Sequence, residues 1–450
     1  MIQTAPTSVS PPSAKQPHPR GLYLLFFVEM WERFSFYGMV NLLHRYLVDH
    51  LQLGNDRATG ITSNYLMFVY FTPLFGGMLA DRKLGFSRSI LIGGTFMMIG
   101  HFLMAIEHMT ALYAALAFLC IGNGLFKPNI SSMVGKLYAD GDPRKDSAFT
   151  IFYMGINTGA FMGYILTDWL RENYGWHYGF AAAGVGMLFG LVLFQLLRKR
   201  LLGTIGDAPV VTAAAPGSRS APATVTKRPL TQVERGRVVA FLVICSIVML
   251  FWAAFHQNAV TLSLWAEHNT QEAIITLPLI GSFSMLPGYY GSLNSFFVIL
   301  MSPVVAWSWS LMRRRNLEPS TPAKMGIGMT LTALSFAIMA FAALSGGNSG
   351  QVSGLWLASA YFVVTLAELC LSPIGLSLAT KLAPVHMVGT MMGVWFMATA
   401  LGNKLTVFGA LWDDMPHSTF FWVLVGSSLF GAAVLFASLG RLKRWMAGVA

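Results

Sequence analysis

Charged residues are scarce in this sequence: they make up 11% of its 450 residues, where a soluble globular chain carries about 25%. Hydrophobic residues make up 55%, and they recur in long runs along the whole chain. Apolar runs of this kind have to face a medium other than water, and lipid is the obvious one. The composition therefore predicts a polytopic membrane protein and argues against a soluble enzyme.

Cysteine is also rare, and several motifs that carry chemistry are missing. The three cysteines, Cys120, Cys245 and Cys370, lie far apart inside apolar runs, so we do not expect a disulfide framework. The chain has no HExxH zinc motif, no GxSxG elbow and no GxxxxGK[ST] phosphate loop. We therefore expect a protein that is not an enzyme, that holds no metal or cofactor, and that is not driven by ATP.

Apolar runs long enough to cross a bilayer as a helix, about 20 residues each, occur twelve times. Their predicted spans are 22–47, 60–80, 89–107, 111–138, 147–168, 177–197, 237–265, 290–312, 325–345, 352–380, 386–410 and 418–440. The sequence predicts an all-α membrane protein with twelve transmembrane helices.

The formal net charge of +11 is distributed unevenly. Lys and Arg concentrate in alternate connections between the apolar runs, as the positive-inside rule describes, and not in the pattern of a nucleic-acid surface. We therefore expect a cell (inner) membrane protein with both termini in the cytoplasm. No cleavable signal peptide is visible, and the Pro/Ser-rich residues 1–20 are predicted to be a disordered cytoplasmic tail.

The longest connection divides the twelve runs six and six. We predict a bundle at 21–200, a cytoplasmic linker at 201–236 and a second bundle at 237–450. Two equal halves of this kind are typical of carriers whose binding site lies near the middle of the membrane. Gly76 to Arg88, GGMLADRKLGFSR, resembles the loop motif of the major facilitator superfamily, in which Asp81 can pair with a neighbouring helix end.

Ionisable residues occur inside several apolar runs, where they cost free energy unless they are paired or hydrated. Glu29, Glu32 and Arg33 share one face of the first helix. Lys127 lies mid-span, directly before Pro128, and needs an acidic partner that the first helix could supply. This group favours a proton-coupled carrier, although a purely structural set of ion pairs is the alternative.

The segment EMWERFSFYG (29–38) resembles the ExxERFxYYG motif of the proton-dependent oligopeptide transporters, a branch of the major facilitator superfamily. Further resemblances to that family run through nearly the whole chain outside the tail and linker: GLFKPNISS (124–132), FTIFYMGINTGAF (149–161), WHYGFAAAGVGM (176–187) and ELCLSPIGLSLATKLAP (368–384).

This resemblance implies a symporter that imports di- and tripeptides by alternating access and uses the proton gradient as its energy source. The resemblance implies that Glu29, Glu32, Arg33 and Lys127 couple transport to protons. We add His256 to these proton-coupling residues because of a departure from the family pattern that is described next. The implied substrate-binding residues are Tyr37, Tyr153, Asn157, Asn294, Glu368, Ser372 and Trp395. The expected partners are a short peptide, protons and the bilayer, and we expect a monomer.

Three positions depart from the family pattern: Lys404 is one, and the other two form a pair in the family. Val40 stands where the family usually has an arginine, and His256 stands where it usually has an acid. In the family these two residues form an ion pair, and losing both together avoids a lone buried charge. His44 follows Val40 by one helical turn, and we hypothesise that a titratable His44–His256 pair replaces the ion pair. The alternative is two unrelated polar residues that face the cavity.

Other functions stay open at this point. The missing ion pair is compatible with a different solute, such as a peptide-like natural product, an organic anion or a drug. Lys404 could line the cavity, which would favour acidic substrates, or extend to the outer surface. A membrane receptor that does not transport is a further alternative, but it would not need the charges inside the membrane.

Overall fold

The computed structural model describes residues 17–53, 55–139, 141–209, 229–259, 261–272, 274–277, 281–285, 287–412 and 414–447. Most of the predicted tail (1–16) and much of the predicted linker (210–228) lie outside these residues.

The described residues up to 209 form six long helices. They are α1 (Arg20–Arg45), α2 (Asn55–Leu79), α3 (Phe86–Met104), α4 (Met109–Lys136), α5 (Lys145–Tyr174) and α6 (Trp176–Leu201). α1 and α2 each continue into one π-helical turn, at Tyr46–His50 and Ala80–Leu84.

From residue 229 onward, the described part of the chain forms six long helices and one short one. They are α7 (Gln232–Phe255), the short α8 (Thr261–His268), α9 (Pro287–Arg314), α10 (Thr321–Ser345), α11 (Gly354–Leu382), α12 (Val388–Lys404) and α13 (His417–Trp445). Thr231 caps α7 with a complete capping box, in which its hydroxyl accepts from the Glu234 N–H and the Glu234 carboxylate accepts from the Thr231 N–H.

Within the described residues, ten helices are long and apolar enough to cross a membrane. α1 and α2 fall outside that set, and α1 carries Glu29, Glu32 and Arg33 near its middle. With these two, the residues that the structure describes contain twelve spans in two six-helix bundles, which confirms the predicted fold. The first bundle contains α1–α6, and the second contains α7 and α9–α13.

The region after α7 differs from the prediction. The seventh span was predicted to run through 237–265, but the α-helix ends at Phe255 and a 3₁₀ turn, His256–Ala259, separates it from α8. The following connection contains an antiparallel hairpin of β1 (Ile274–Leu277) and β2 (Gly281–Ser284). Successive β-branched residues at Ile274, Ile275 and Thr276 favour a strand there. The prediction missed this hairpin because it considered only apolar length.

The two bundles meet along matching helices. α2 packs against α12, and α5 packs against α9 and α11. Glycine allows the close approach of the bundles, since a Cβ at Gly77 of α2 would overlap the carbonyl oxygen of Gly389 of α12. Within the first bundle, a Cβ at Gly76 of α2 would overlap the carbonyl oxygen of Gly124 of α4. Small residues at helix crossings are the usual means of tight packing in membranes. These contacts fix where α2, α4 and α12 stand around the middle of the molecule.

Candidate functional site

Four charged side chains from α1 and α4 form one buried group, which we call the charge cluster: Glu29, Glu32, Arg33 and Lys127. Their exposed fractions are 0%, 0%, 3% and 7%. The guanidinium of Arg33 donates to both carboxylate oxygens of Glu32, and the Lys127 ammonium donates to Glu29. Arg33 Nε also lies 3.6 Å from a Glu29 oxygen. The cluster therefore balances two acids against two bases with water largely excluded.

Neighbouring helices hold the cluster in place. Arg33 Nη2 donates to the Asn123 amide oxygen over 3.2 Å, and the Asn123 amide group donates to the Val69 carbonyl over 2.7 Å. Asn123 thus connects α1 to α2 through α4. Pro128 removes one backbone N–H from α4 next to Lys127, so the helix there lacks one internal hydrogen bond. The other Glu29 oxygen, Oε2, is buried and has no partner among the described residues.

A second polar group lies where the bundles face each other. Glu368 of α11 is 3% exposed, and its carboxylate accepts from the Tyr153 hydroxyl of α5. It also accepts from the Asn294 amide of α9 over 2.8 Å, and the same amide lies 3.1 Å from the Thr365 hydroxyl. Tyr153 belongs to the first bundle and Glu368 to the second. A buried acid therefore bridges the two halves of the molecule.

The other predicted binding residues surround these two groups in different ways. The Tyr37 ring lies 5.8 Å from the Arg33 guanidinium carbon. Asn157 donates to the Tyr153 carbonyl of its own helix over 3.1 Å. Ser372 lies one turn after Glu368 on α11 and is 2% exposed. Trp395 is 2% exposed and packs against Gly375, where a Cβ would overlap its ring.

Polar contacts also join the bundles at one end, which we call the basic face and define by the connections at 80–85, 137–144, 315–320 and 383–387. Asp81 accepts from the Gly389 and Thr390 N–H groups over 2.9 and 2.7 Å, at the start of α12. Asp146 of α5 accepts from Ser377 and Lys381 of α11, each over 2.6 Å. The bundles are therefore closed against each other at the basic face.

These features agree with the sequence comparisons. A model of the POT family matches residues 87–202 and 218–423, which is more than half of the chain. The chain belongs to the POT family.

Curated POT relatives cover most of its length. It is 35% identical to the uncharacterized transporter YclF of Bacillus subtilis, over 96% of each chain. It is 34% identical to the peptide transporter YePEPT of Yersinia enterocolitica, over 86% of each chain. A di-/tripeptide transporter of Lactococcus lactis is 33% identical and is matched over 88% of its length, by 86% of this chain.

Solved POT structures have the same fold. A peptide transporter POT in complex with sulfate superposes with a TM-score of 0.71 at 33% identity, covering 97% of each chain. A POT family transporter in complex with a thioalcohol-conjugated peptide superposes with a TM-score of 0.75 at 28% identity, over 95% of this chain and 97% of that one.

The three departures from the POT pattern, Val40, His256 and Lys404, are placed as follows. Val40 is half-buried and packs against the apolar core of the first bundle. The His256 ring stacks on Trp252, with centroids 5.4 Å apart and planes 23° apart, and meets the Phe255 ring edge-on. Its buried Nε2 has no partner among the described residues. His256 thus contacts aromatic rings, and the proposed pairing with His44 stays a hypothesis. Lys404, at the end of α12, is exposed.

Sequence reasoning missed several residues that this POT chain brings together. Asp146 was counted only within a basic connection, yet it joins α5 to Ser377 and Lys381 of α11. Asn123 was not singled out, although a carboxamide inside an apolar run is itself a signal. Thr365 lies one turn before a residue that was predicted, Glu368. Within the described part of the chain, no group of three His, Cys, Asp or Glu side chains could hold a metal ion.

Proposed function

We propose that this chain is a proton-coupled symporter that imports di- and tripeptides by alternating access. The observation that carries the proposal is the buried charge cluster of Glu29, Glu32, Arg33 and Lys127 in one bundle, opposite Glu368 in the other. The names of its POT relatives, which include peptide and di-/tripeptide transporters, support the substrate class.

Opposite charges in the two halves suit a zwitterion. In our proposal the peptide ammonium binds Glu368 and Asn294, and Arg33 and Lys127 attract the peptide carboxylate. The Tyr153 hydroxyl, which donates to Glu368 in the structure, gives way to the incoming ammonium. Charge-assisted hydrogen bonds at both ends make the site selective for a substrate with a free amino and a free carboxyl group.

The charge cluster supplies a place for the transported proton. Adding a proton to one of its two carboxylates leaves two cations facing one anion in a nearly dry site, an imbalance that a peptide carboxylate corrects. Proton and peptide would then enter together because each alone leaves unbalanced charge. We therefore assign Glu29, Glu32, Arg33 and Lys127 to proton coupling. His256 is kept as a further candidate.

The orientation follows from the basic connections. We place the basic face and both termini in the cytoplasm of a cell whose inner membrane holds the protein. Closure at Asp81 and Asp146 would then seal the binding site from the cytoplasm, and opening those contacts would release the peptide inside. The two moving units would be 21–200 and 237–450, joined by the linker 201–236, and we expect the protein to act as a monomer without a cofactor.

A different solute is the second candidate. It is favoured by Val40, which packs as an apolar residue where the family pattern has an arginine. The family's ion pair is lost as a whole, because Val40 replaces its cation and His256 replaces its acid. In this alternative a peptide-like natural product, an organic anion or a drug takes the place of the peptide.

Uptake into proteoliposomes tests the proposal. Purified protein is reconstituted, a proton gradient is imposed, and initial uptake is measured for a panel of di- and tripeptides, with free amino acids as controls. We expect gradient-dependent uptake of several peptides and none of the amino acids. If none of the peptides causes proton entry, peptide transport would be contradicted and the second candidate favoured.

A further inference from the structure

A cavity of about 1030 Å³ lies on the basic face between the two bundles. The first bundle contributes the end of α4, the α4–α5 connection and the start of α5, including Lys136 and Lys145. The second contributes the starts of α7 and α10, the end of α11 and Lys443 of α13. Because both bundles form its walls, the cavity exists in this shape only while the basic face is closed.

The lining of this cavity, which we call the interface cavity, is rich in base. Its cations outnumber its carboxylates by seven to four. The cations are Lys136, Lys145, Arg237, Arg313, Lys324, Lys381 and Lys443, and the carboxylates are Asp142, Asp146, Glu234 and Glu318.

The four carboxylates are already engaged within the protein. Asp146 accepts from Lys381, and Glu318 accepts from Arg313 over 2.8 Å and from Lys324 over 2.7 Å. Asp142 accepts from the Arg144 guanidinium over 2.6 Å, and Glu234 caps α7. Three of the seven cations, Arg313, Lys324 and Lys381, are therefore paired with these carboxylates, and the excess of positive charge comes from the other cations of the lining.

Hydroxyl groups and one guanidinium N–H add hydrogen-bond donors to this cavity. Ser320 is the N-cap of α10, but its side chain makes no capping hydrogen bond, and Ser320 and Thr321 both line the cavity. Arg237 also lines it, and its buried Nε has no hydrogen-bond partner among the described residues. A buried N–H of this kind is costly unless a ligand or water accepts from it. Guanidinium, ammonium and hydroxyl donors around one space are the groups that bind phosphate oxygens.

We propose that the interface cavity binds a phosphate-bearing anion that holds the two bundles together at the basic face. The anion would contact cations of both bundles, so it binds the closed arrangement and shifts the conformational equilibrium toward it. Its source is either a soluble phosphate compound or the headgroup of an anionic lipid. The site is separate from the charge cluster, and binding there does not depend on the proposed peptide specificity.

Inorganic phosphate is the probe for this site. The full chain is reconstituted in nanodiscs of zwitterionic lipid, and its unfolding temperature is followed as phosphate replaces chloride at constant ionic strength. The test variant is Arg237→Gln with Lys443→Gln. The matched control, Arg441→Gln with Arg444→Gln, removes the same charge from exposed positions of α13 outside the cavity. The control also subtracts the general stabilising effect of phosphate on proteins.

A saturating anion is expected to raise the unfolding temperature by roughly 2–4 °C in the wild type and the control, and by much less in the test variant. Broadening of the ³¹P resonance of phosphate should follow the same pattern. A second set of nanodiscs with anionic lipid separates the sources. If the site binds a lipid headgroup, anionic nanodiscs should raise the unfolding temperature of the wild type before phosphate is added. Added phosphate should then have no further effect in those nanodiscs. Equal phosphate and lipid responses in all three proteins, or no response in any, would overturn the proposal.

Discussion

Lys127 and Glu29 form a contact between α4 and α1 from which water is almost excluded. Such a pair stabilises little compared with an apolar pair, but removing one partner leaves an uncompensated buried charge. The cluster is therefore sensitive to single changes in a way that an exposed ion pair is not.

Replacing Lys127 by Ala should lower the free energy of unfolding by about 3–5 kcal/mol and abolish gradient-driven uptake, because Glu29 would keep only Arg33 as a neighbouring cation. Lys199→Ala, at an exposed position of α6, is the control and should change neither quantity. Thermal unfolding and uptake in proteoliposomes give the two readouts. A Lys127→Ala protein as stable and active as the control would show that the cluster is not paired as described.

Glu368 offers a test of substrate orientation. Glu368→Gln keeps the shape of the side chain but removes its charge, so the affinity for a dipeptide with a free amino group should fall at least about tenfold, the loss of one charge-assisted hydrogen bond. N-acetylated dipeptides, which lack the ammonium, should bind the wild type and the variant equally weakly. Tyr153→Phe, which removes the donor and keeps the carboxylate, is the matched variant and should retain the preference for a free amine. A preference for free amines that survives in Glu368→Gln would refute the assignment.

His256 tests the hypothesis of a titratable pair. If this histidine takes part in proton coupling, His256→Ala should alter the dependence of uptake on external pH. His177→Ala, at an exposed histidine of α6, is the comparison. Unchanged uptake and an unchanged pH profile in His256→Ala would leave its aromatic contacts with Trp252 and Phe255 as its whole role.

Helix crossings control the closed basic face. α2 can lie against α12 because Gly77 has no side chain, and a Cβ there would overlap the Gly389 carbonyl. Gly77→Ala should therefore weaken the closed arrangement and raise the labelling rate of a cysteine placed in the interface cavity. Gly60→Ala is the control, because Gly60 lies in the same helix and no atom lies within 4 Å of a Cβ added there. Both substitutions raise the helix propensity of α2. Equal labelling rates in the two variants would contradict the packing argument.

The connection between α9 and α10 carries a pH-dependent contact. Burial opposes ionisation of Glu318, but hydrogen bonds from Arg313 and Lys324 outweigh it, so the pKa of this carboxyl lies below its usual 4.5. A lowered pKa in the folded state means that the stabilisation is present above pH 4.5 and is lost as the pH falls below it. Glu318→Gln should lower the unfolding temperature at pH 7, and its difference from wild type should shrink toward pH 4. A difference that is constant with pH would rule out this contribution.

Local patterns explain which elements the sequence could predict. The spans follow from apolar length, and the contact of Glu29 and Arg33 follows from their spacing by one turn of α1. The hairpin after α8 could not be found that way, since it is too short to register as an apolar run. Asp146 meets Ser377 and Lys381 only through the fold, because 231 and 235 residues separate them in the chain. A single sequence carries no signal for such a pairing.

At the scale of the whole molecule, the two bundles meet at a bridging acid, Glu368, and at the closed basic face. The Tyr153–Glu368 contact joins α5 to α11, and the Asp81 and Asp146 contacts join the two bundles at the basic face. An alternating carrier has to break the second set to release its substrate. Proton entry and peptide binding must therefore alter the same interface, which links the buried charges to the movement of the bundles.

The most direct test compares two modes of transport in Glu32→Gln, which cannot lose or gain a proton at that position. Peptide counterflow exchanges labelled for unlabelled substrate without net proton movement, whereas accumulation requires the proton gradient. The account predicts that the variant keeps counterflow and loses gradient-driven accumulation. Accumulation at the wild-type level in Glu32→Gln would contradict the assignment of this carboxylate to proton coupling.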